Sequence, residues 1–380
     1  MRRSFAALTF LFCLVFGSSV AFTAVPIPKA PSIDAKSYIL MEYDSAKVLG
    51  ENRPDERVEP ASITKLMTAY AVFKALKENR LKIDEMVPIS EHAWKAEGSR
   101  TFVQVGTSVP AEVLIKGMII QSGNDATIAL AERVGGSEPA FAQLMNEYSK
   151  RLGMKGTNWT NAPGLPDPNH YTTARDIALL ARAIIREFPE YYKYYSMREF
   201  TWNKITQQNR NGLLDRDPSV DGMKTGHTES AGYCLVTSAK RGNMRLISVV
   251  IGTPSIRTRE DGSAALLNYG YTFYEMAKVK SAGSTIIKPR VYKATEENPA
   301  VGIKQDIVVV VGRGEGANLK TSVHVQDKLI APLPANKPIG ELTVSTQAGE
   351  TVAKVPLYPL KTVEEGGLWT RMVDTVSLWF

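Results

Sequence analysis

Cysteine is almost absent from this chain, which has only Cys13 and Cys234 among its 380 residues. Cys13 lies in an amino-terminal segment with the features of a signal peptide, so the mature chain would keep Cys234 alone. One cysteine cannot form an intramolecular disulfide. Because Cys234 lies in an apolar, strand-like run, we expect a buried hydrophobic side chain there rather than a reactive thiol.

Histidine and clustered basic charge are also scarce. The four histidines (His92, His170, His227 and His324) do not have metal-ligand spacing, so we expect neither a metal nor another cofactor. The net charge is +7, but lysine and arginine are scattered and do not alternate with aromatic residues. This distribution argues against a nucleic-acid partner. A mildly basic exported protein is better suited to an anionic wall polymer or an anionic lipid surface.

Long apolar runs are missing except near the start, where two arginines precede apolar residues 8–16 and small residues follow. This order is typical of a secretory signal peptide, predicted over residues 1–24 with cleavage after Ala21 or Ala24. A retained membrane anchor is the alternative, although so short an apolar run rarely spans a bilayer. We therefore expect an exported protein.

Apolar periodicity predicts an α+β domain over residues 25–283. The predicted helices cover residues 61–76, two stretches within 110–134, 138–152, 173–187 and 259–279. The predicted strands are two within 36–50, then 222–226, 231–239 and 244–251. Strands at both ends of the domain with helices between them imply an antiparallel sheet flanked by helices.

The character of the chain changes near residues 281–284. Residues 284–362 contain short strand-like runs separated by Gly, Pro and Asn, which predict a small all-β sandwich domain. Residues 363–380 end the chain, and from residue 368 their apolar side chains have the spacing of one helix face, including Trp369 and Trp379. Thirteen helical residues are too few to span a bilayer, so we expect the helix to lie in a membrane interface. Docking of this helix onto the protein's own core is the alternative.

Three motifs carry the chemistry: Ser62-Ile-Thr-Lys65, Ser122-Gly-Asn124 and Lys224-Thr-Gly226, which begin 60 and 102 residues apart. Each alone carries little information. Together they supply a nucleophile, a candidate amine base, a second hydroxyl, an amide and a cation. This set is suited to acyl transfer through a serine ester without a catalytic histidine.

Ser62 and Lys65 are three residues apart near the start of a helix that is apolar on nearly every side, so they share one face. Burial and the positive helix terminus both disfavour an ammonium group, so the pKa of Lys65 is expected to be low. A partly neutral Lys65 could accept the proton of Ser62. The alternative is a capping serine with a lysine whose stem alone is buried.

The other two motifs predict proton relay and substrate binding. Ser122 could pass a proton between Lys65 and the leaving group, and the Asn124 amide could hold the substrate backbone. An ordinary turn between two helices is the alternative for this motif. Lys224 and Thr225 could recognise a substrate carboxylate. Gly226 would let a bound peptide lie close to the strand.

In this order, the motifs resemble those of the serine-acylated penicillin-binding proteins and β-lactamases. The chain is most similar to low-molecular-mass D-alanyl-D-alanine carboxypeptidases of the penicillin-binding protein 5/6 type. The resemblance extends over Ser37-Tyr-Ile-Leu40, Gln121-Ser-Gly-Asn-Asp-Ala126, Asn209-Arg-Asn-Gly-Leu213 and Asp221-Gly-Met-Lys-Thr-Gly-His-Thr228, and includes the β-rich second domain and the amphipathic tail.

The resemblance implies a role for each site residue. Ser62 would be the acylated nucleophile, Lys65 the general base and Ser122 the proton relay. Lys224 and Thr225 would bind the carboxylate, and the N–H groups of Ser62 and His227 would form the oxyanion hole. Arg259 would lie near the substrate carboxylate, and Arg210 would support the site from its loop.

The resemblance also implies partners and a location. The substrate would be a peptidoglycan stem peptide ending in D-Ala-D-Ala, and β-lactam antibiotics would inhibit covalently. The protein would lie peripherally at the periplasmic face of a bacterial inner membrane, held by its terminal helix. Three alternatives are a β-lactamase, a DD-endopeptidase and a wall-binding scaffold. The sequence between the second and third motifs lacks the Glu-x-x-Leu-Asn pattern that a class A β-lactamase needs for deacylation.

Overall fold

A computed structural model describes residues 26–378. The signal peptide predicted over residues 1–24 lies outside the described residues, as do Trp379 and Phe380. The strands of the first domain are β1 (Ser37–Glu42), β2 (Val48–Asn52), β3 (Met86–Pro88), β4 (Ser108–Pro110), β5 (Glu199–Trp202), β6 (Ile205–Gln208), β7 (Val220–Thr228), β8 (Gly232–Arg241) and β9 (Met244–Thr253). Its helices are α1 (Lys65–Lys77), α2 (Glu91–Trp94), α3 (Ala111–Lys116), α4 (Asn124–Gly135), α5 (Glu138–Leu152), α6 (Ala174–Glu187), α7 (Pro189–Tyr192), α8 (Leu213–Arg216) and α9 (Ile256–Phe273).

The first domain is built around a five-stranded antiparallel sheet in the order β2-β1-β9-β8-β7. Alternate residues of its central strands point to opposite faces, so each face has its own apolar core. Ile247 and Val249 face the cluster that includes α1 and α6. Leu246 and Val250 face α9. The predicted α+β class, with a helix-flanked antiparallel sheet, is confirmed.

The first two sequence motifs lie where regular structure changes, and the third lies within β7. A 3₁₀ turn, Ala61–Thr64, leads directly into α1, so Ser62 and Lys65 are three residues apart on a continuous helical path. A π-helical turn, Gly117–Gln121, follows α3 and ends at Ser122, whose φ of 66° is left-handed. The predicted helix interruption at Ser122 is therefore present.

The predicted helix over residues 259–279 is wrong at its carboxyl end. Helix α9 ends at Phe273, and β10 (Tyr274–Lys280) pairs with residues 307–312. Ala277 and Val279 pack into the core of the second domain, so long-range pairing and burial override the local helical pattern. The second domain therefore begins near residue 274, before the boundary that the sequence predicted near residues 281–284.

The second domain is all β. Its further strands are β11 (Thr285–Ile287), β12 (Val291–Tyr292), β13 (Val301–Gly302), β14 (Ile307–Gly312), β15 (Lys320–Val325), β16 (Leu329–Ile330), β17 (Gly340–Ser345) and β18 (Thr351–Pro359). Five of them form a sheet in the order β11-β13-β18-β17-β15, with the pairs β10-β14 and β12-β16 beside it. A separate cluster of buried residues, including Val301, Leu342 and Leu357, forms its core.

The last element, α10 (Leu368–Ser377), is an amphipathic helix on the surface of the second domain. Its apolar side chains point outward, and Leu368 and Trp369 are 86% and 75% exposed. Asp374 points inward and accepts a hydrogen bond from the Lys293 backbone N–H, whereas Thr370, Arg371 and Ser377 are exposed. Within residues 26–378, no helix combines the length and the apolar character needed to cross a bilayer.

Candidate active site

A cleft of about 550 Å³ opens beside β7, at one edge of the five-stranded sheet. The residues that line it are Ser62, Ser99, Ser122, Arg210, Thr225, Gly226, His227, Tyr233, Ile256 and Arg259. All three sequence motifs therefore contribute to one cavity, although they are far apart in the chain. The predicted residues that do not line the cleft are Lys65, Asn124 and Lys224, whose buried side chains contact one another or the two serines.

Gly226 allows the third motif to approach the first. A Cβ atom at this position would lie 3.0 Å from the Pro60 carbonyl oxygen and 3.1 Å from Cγ1 of Ile63. Strand β7 thus packs closely against the turn that carries Ser62. The nucleophile candidate is thereby placed between the strand and the second motif.

Lys65 is buried and makes three polar contacts. Its Nζ lies 3.0 Å from Oγ of Ser62, 2.7 Å from Oδ1 of Asn124 and 2.8 Å from the carbonyl oxygen of Pro163. Burial, with a smaller contribution from the charge of Arg210, lowers the pKa of Lys65 to about 7. A substantial fraction of this amine is therefore neutral at neutral pH.

The hydrogen-bond partners of Lys65 determine which hydroxyl or N–H group its lone pair can accept from. Asn124 Oδ1 and the Pro163 carbonyl can only accept, so they take the two N–H groups of a neutral amine. The orientation of the Asn124 amide follows from its hydrogen bonds, because its Nδ2 donates to the Glu97 carbonyl at 2.5 Å. The lone pair of the amine is then left for the hydroxyl proton of Ser62. This geometry is suited to a nucleophile and a base, as predicted for Ser62 and Lys65.

Ser122 is paired with the second lysine. Lys224 Nζ donates to Oγ of Ser122 at 3.0 Å and to the carbonyl oxygen of Thr225 at 2.9 Å. Burial lowers the pKa of Lys224 well below its usual range, and the charge of Lys65 contributes in the same direction. Because the Ser122 hydroxyl accepts from Lys224, its own proton can be directed into the cleft.

The far end of the cleft is rich in donors. Thr225 and the exposed His227 lie on β7, and His227 stacks on Tyr233 with ring centroids 4.0 Å apart. Arg259 is buried on α9, and its guanidinium contacts the carbonyl oxygens of Gly226 and Cys234 at 3.5 and 3.4 Å. This end of the cleft can therefore recognise an anionic group, such as a carboxylate.

Two predicted substrate contacts are replaced by internal ones. Both polar atoms of the Asn124 side chain are engaged with Lys65 and Glu97, so one function of this amide is to orient the Lys65 amine. Lys224 is 2% exposed and is separated from the cleft by Ser122. A carboxylate in the cleft would therefore interact with Lys224 electrostatically but would not contact its side chain.

Several groups that contribute to the site were not predicted from the sequence. The carbonyl groups of Glu97 and Pro163 are backbone atoms, which no side-chain motif marks. Asp125 follows the second motif directly, and its carboxylate accepts from the N–H groups of residues 101–103, so it holds the loop that carries Ser99. The sequence signal for this role was the position of an acidic residue directly after a motif expected to be buried.

Neither a metal site nor a reactive thiol accompanies this cleft in the part of the chain that is described. No group of three or more His, Cys, Asp or Glu side chains in residues 26–378 is placed to hold a metal ion. Cys234 is a buried free cysteine, and burial raises the pKa of its thiol to about 11. The polar side chains in and behind the cleft carry hydroxyl, amine, amide, imidazole and guanidinium groups.

Two family models match the chain and divide it as the fold does. Residues 24–255 match the peptidase S11 model, described as D-alanyl-D-alanine carboxypeptidase. Residues 274–365 match the model of the penicillin-binding protein 5 C-terminal domain. The second match begins at the first residue of β10, in agreement with the strand pairing.

Individual relatives cover nearly the whole chain. The D-alanyl-D-alanine carboxypeptidase DacA of Haemophilus influenzae is 42% identical over 92% of this chain and 90% of its own length. DacC of Escherichia coli is 41% identical over 100% of this chain and 96% of its own length.

Solved structures agree with these matches. Penicillin-binding protein 5 of Haemophilus influenzae superposes with a TM-score of 0.84 at 42% identity, covering 89% of this chain and 100% of that one. Penicillin-binding protein D2 of Listeria monocytogenes, solved in an ampicillin-bound form, has a TM-score of 0.60 at 28% identity, covering 64% of this chain and 100% of that one.

Proposed function

The chain belongs to the D-alanyl-D-alanine carboxypeptidase family of serine peptidases, and from that premise we propose how its own residues carry out the reaction. Ser62 is the acylated nucleophile and Lys65 its base. The observation that carries this assignment is the contact between Lys65 Nζ and Ser62 Oγ, because the other two contacts of the amine are acceptors. Peptidoglycan as substrate and β-lactams as ligands fit the family.

The proposed reaction begins with transfer of the Ser62 proton to Lys65 as Oγ attacks the carbonyl carbon of the penultimate D-alanine. The N–H groups of Ser62 and His227 stabilise the resulting oxyanion. Ser122 then donates its proton to the nitrogen of the departing D-alanine and takes up the proton that Lys65 accepted from Ser62, so Lys65 is neutral again when water attacks. The hydrogen bond from Lys224 holds the Ser122 hydroxyl in place during this relay. Water finally hydrolyses the ester on Ser62.

The terminal carboxylate of the substrate lies at the donor-rich end of the cleft. Thr225, Arg210 and Arg259 line the cleft. The buried charge of Lys224 adds a favourable potential behind them. This arrangement accounts for cleavage at a free carboxyl terminus, where a carboxylate is present to be recognised.

The pH dependence of acylation tests Lys65 as the base. Because burial lowers its pKa to about 7, the rate constant for acylation by a penicillin should rise about tenfold per pH unit below pH 7 and level off above it. Stopped-flow measurement of acylation between about pH 5 and pH 8 checks this limb. A rate that stays constant or falls over this interval would contradict a neutral lysine base.

For location, we propose export by the segment 1–24 and peripheral attachment to the periplasmic face of a bacterial inner membrane through α10. Two observations support the attachment. The helix turns its apolar side chains outward, and Asp374 and the Lys328–Leu378 contact hold its other face to the second domain. An outward apolar face on a docked helix is suited to burial in a lipid interface.

Truncation after Gly367 tests the attachment. The full mature chain should float with vesicles of neutral phosphatidylcholine, and the truncated chain should stay in the aqueous fraction. The outward face of α10 is apolar, so binding of the full chain should depend little on salt.

A point substitution sharpens this test. Trp369→Ala should lower the partition coefficient between vesicles and water about tenfold to hundredfold, because one large apolar side chain is removed from the interface. Ile330→Ala is the matched control, because Ile330 is 44% exposed on the second domain outside the helix and should leave the partition coefficient unchanged. Equal loss in both variants, or flotation of the truncated chain, would show that α10 is not the anchor.

A further inference from the structure

His170 lies in the loop between α5 and α6 (residues 153–173) and is buried against the turn that carries the nucleophile. The backbone N–H of Thr160 donates to its Nδ1 at 3.0 Å, and its Nε2 lies 2.8 Å from Oγ1 of Thr64. Because a backbone N–H can only donate, Nδ1 is the acceptor and the ring proton is on Nε2. Burial lowers the pKa of His170 to about 4, in agreement with a neutral ring.

Two consecutive hydrogen bonds connect His170 to Ala61, the residue before the proposed nucleophile. The Thr64 hydroxyl accepts from Nε2 and donates its own proton to the Ala61 carbonyl at 2.8 Å. Ala61 has a φ of 48°, a left-handed conformation that persists in a residue with a side chain only when its surroundings hold it. Gly164, in the same loop as His170, packs so closely on this carbonyl that a Cβ atom there would lie 1.9 Å from it.

We propose that His170 is a positioning residue for acylation, which holds the peptide group between Ala61 and Ser62 through Thr64. A peptide group is planar, so an anchored Ala61 carbonyl fixes the direction of the Ser62 N–H on the other side of the bond. This N–H is one of the two donors assigned to the oxyanion hole, so the inference rests on the proposed function. His170 then affects the acylation rate without touching the substrate.

Two substitutions with amide side chains distinguish the role of Nε2 from that of Nδ1 in His170. In His170→Gln the terminal NH₂ reaches the position of Nε2 and can donate to Thr64. In His170→Asn the amide oxygen reaches the position of Nδ1 and can accept from Thr160, but the donor to Thr64 is lost. The first variant keeps the connection to the nucleophile turn, and the second keeps the internal support of the loop.

The measurement is the acylation rate constant with a penicillin, together with kcat and KM for a peptide ending in D-Ala-D-Ala. His170→Asn should lower acylation and kcat about tenfold to hundredfold, below the full effect of losing an oxyanion donor, with KM nearly unchanged. His170→Gln should stay within about threefold of the parent. The reverse order, or a change in KM alone, would mean that His170 only supports the loop.

Thr64 provides an independent test if the histidine variants do not fold. Thr64→Val removes the hydroxyl at nearly constant volume and should slow acylation as His170→Asn does, whereas Thr64→Ser should restore it. The double variant of Thr64→Val and His170→Asn should be no slower than the slower single variant, because both break one chain of hydrogen bonds. Additive losses would overturn the proposal. Absence of a penicillin adduct on Ser62 in the parent protein would instead overturn the proposed function.

Discussion

Replacing Ser62 with alanine is expected to lower the release of terminal D-alanine by roughly 10⁶-fold and to abolish covalent labelling by penicillin. The effect is expected to be this large because the proposed reaction proceeds through an ester on that oxygen, and no other group of the cleft has Lys65 as its base. Mass spectrometry of the intact protein after penicillin treatment, followed by peptide mapping, locates the adduct.

Ser122→Ala is the informative companion to this variant. Its hydroxyl lies in the same cleft and accepts a hydrogen bond from Lys224, so Ser122 is, with Ser99, one of two further serines that penicillin could label at this site. We expect the adduct to remain on Ser62 in Ser122→Ala and to form more slowly. An adduct that persists in Ser62→Ala would refute the assignment, and rapid release of penicilloate from the parent protein would indicate a β-lactamase.

Replacing Lys65 with arginine is expected to produce the second largest loss, about 10²- to 10⁴-fold in the acylation rate constant. Arginine keeps the positive charge, but its guanidinium stays protonated at all accessible pH values and offers no lone pair to Ser62. The pH dependence below pH 7 should also disappear. Stopped-flow acylation at several pH values measures both effects.

Lys224→Arg is the matched control, because Lys224 is also buried and is also hydrogen-bonded to a serine. If Lys224 acts through its charge, Lys224→Arg should retain much more activity than Lys65→Arg. Thermal unfolding of both variants shows how much each larger side chain disturbs the packing. Equal losses in rate, with equal losses in stability, would contradict separate roles for the two lysines.

The side chains of this site could be predicted from the sequence because their chemistry is carried by rare combinations. Ser62 and Lys65 occur at helical spacing in an apolar segment, and the structure places them 3.0 Å apart. The depressed pKa of Lys65 was likewise expected from burial, which is its main cause in the structure. Composition alone would not have given these results.

Other parts could not be predicted, for two physical reasons. The Pro163 carbonyl that orients Lys65 is a backbone atom, and its position depends on a contact across 98 residues. Residues 274–279 look helical locally, but they join a strand pair whose partner is about thirty residues further along the chain. Local patterns contain neither kind of information.

The two buried lysines have a consequence for the stability of the whole molecule. Among residues 26–378, no carboxylate is hydrogen-bonded to Lys65 or Lys224. The Asp125 carboxylate near Lys65 instead accepts hydrogen bonds from backbone N–H groups. At neutral pH the unfolded chain holds a full proton on Lys65 that the fold partly gives up, so this residue lowers the free energy of unfolding. A bound carboxylate would supply the missing opposite charge. The buried amines of the cleft thus reduce the stability of the fold, and a substrate carboxylate would offset part of this cost by supplying a counter-charge.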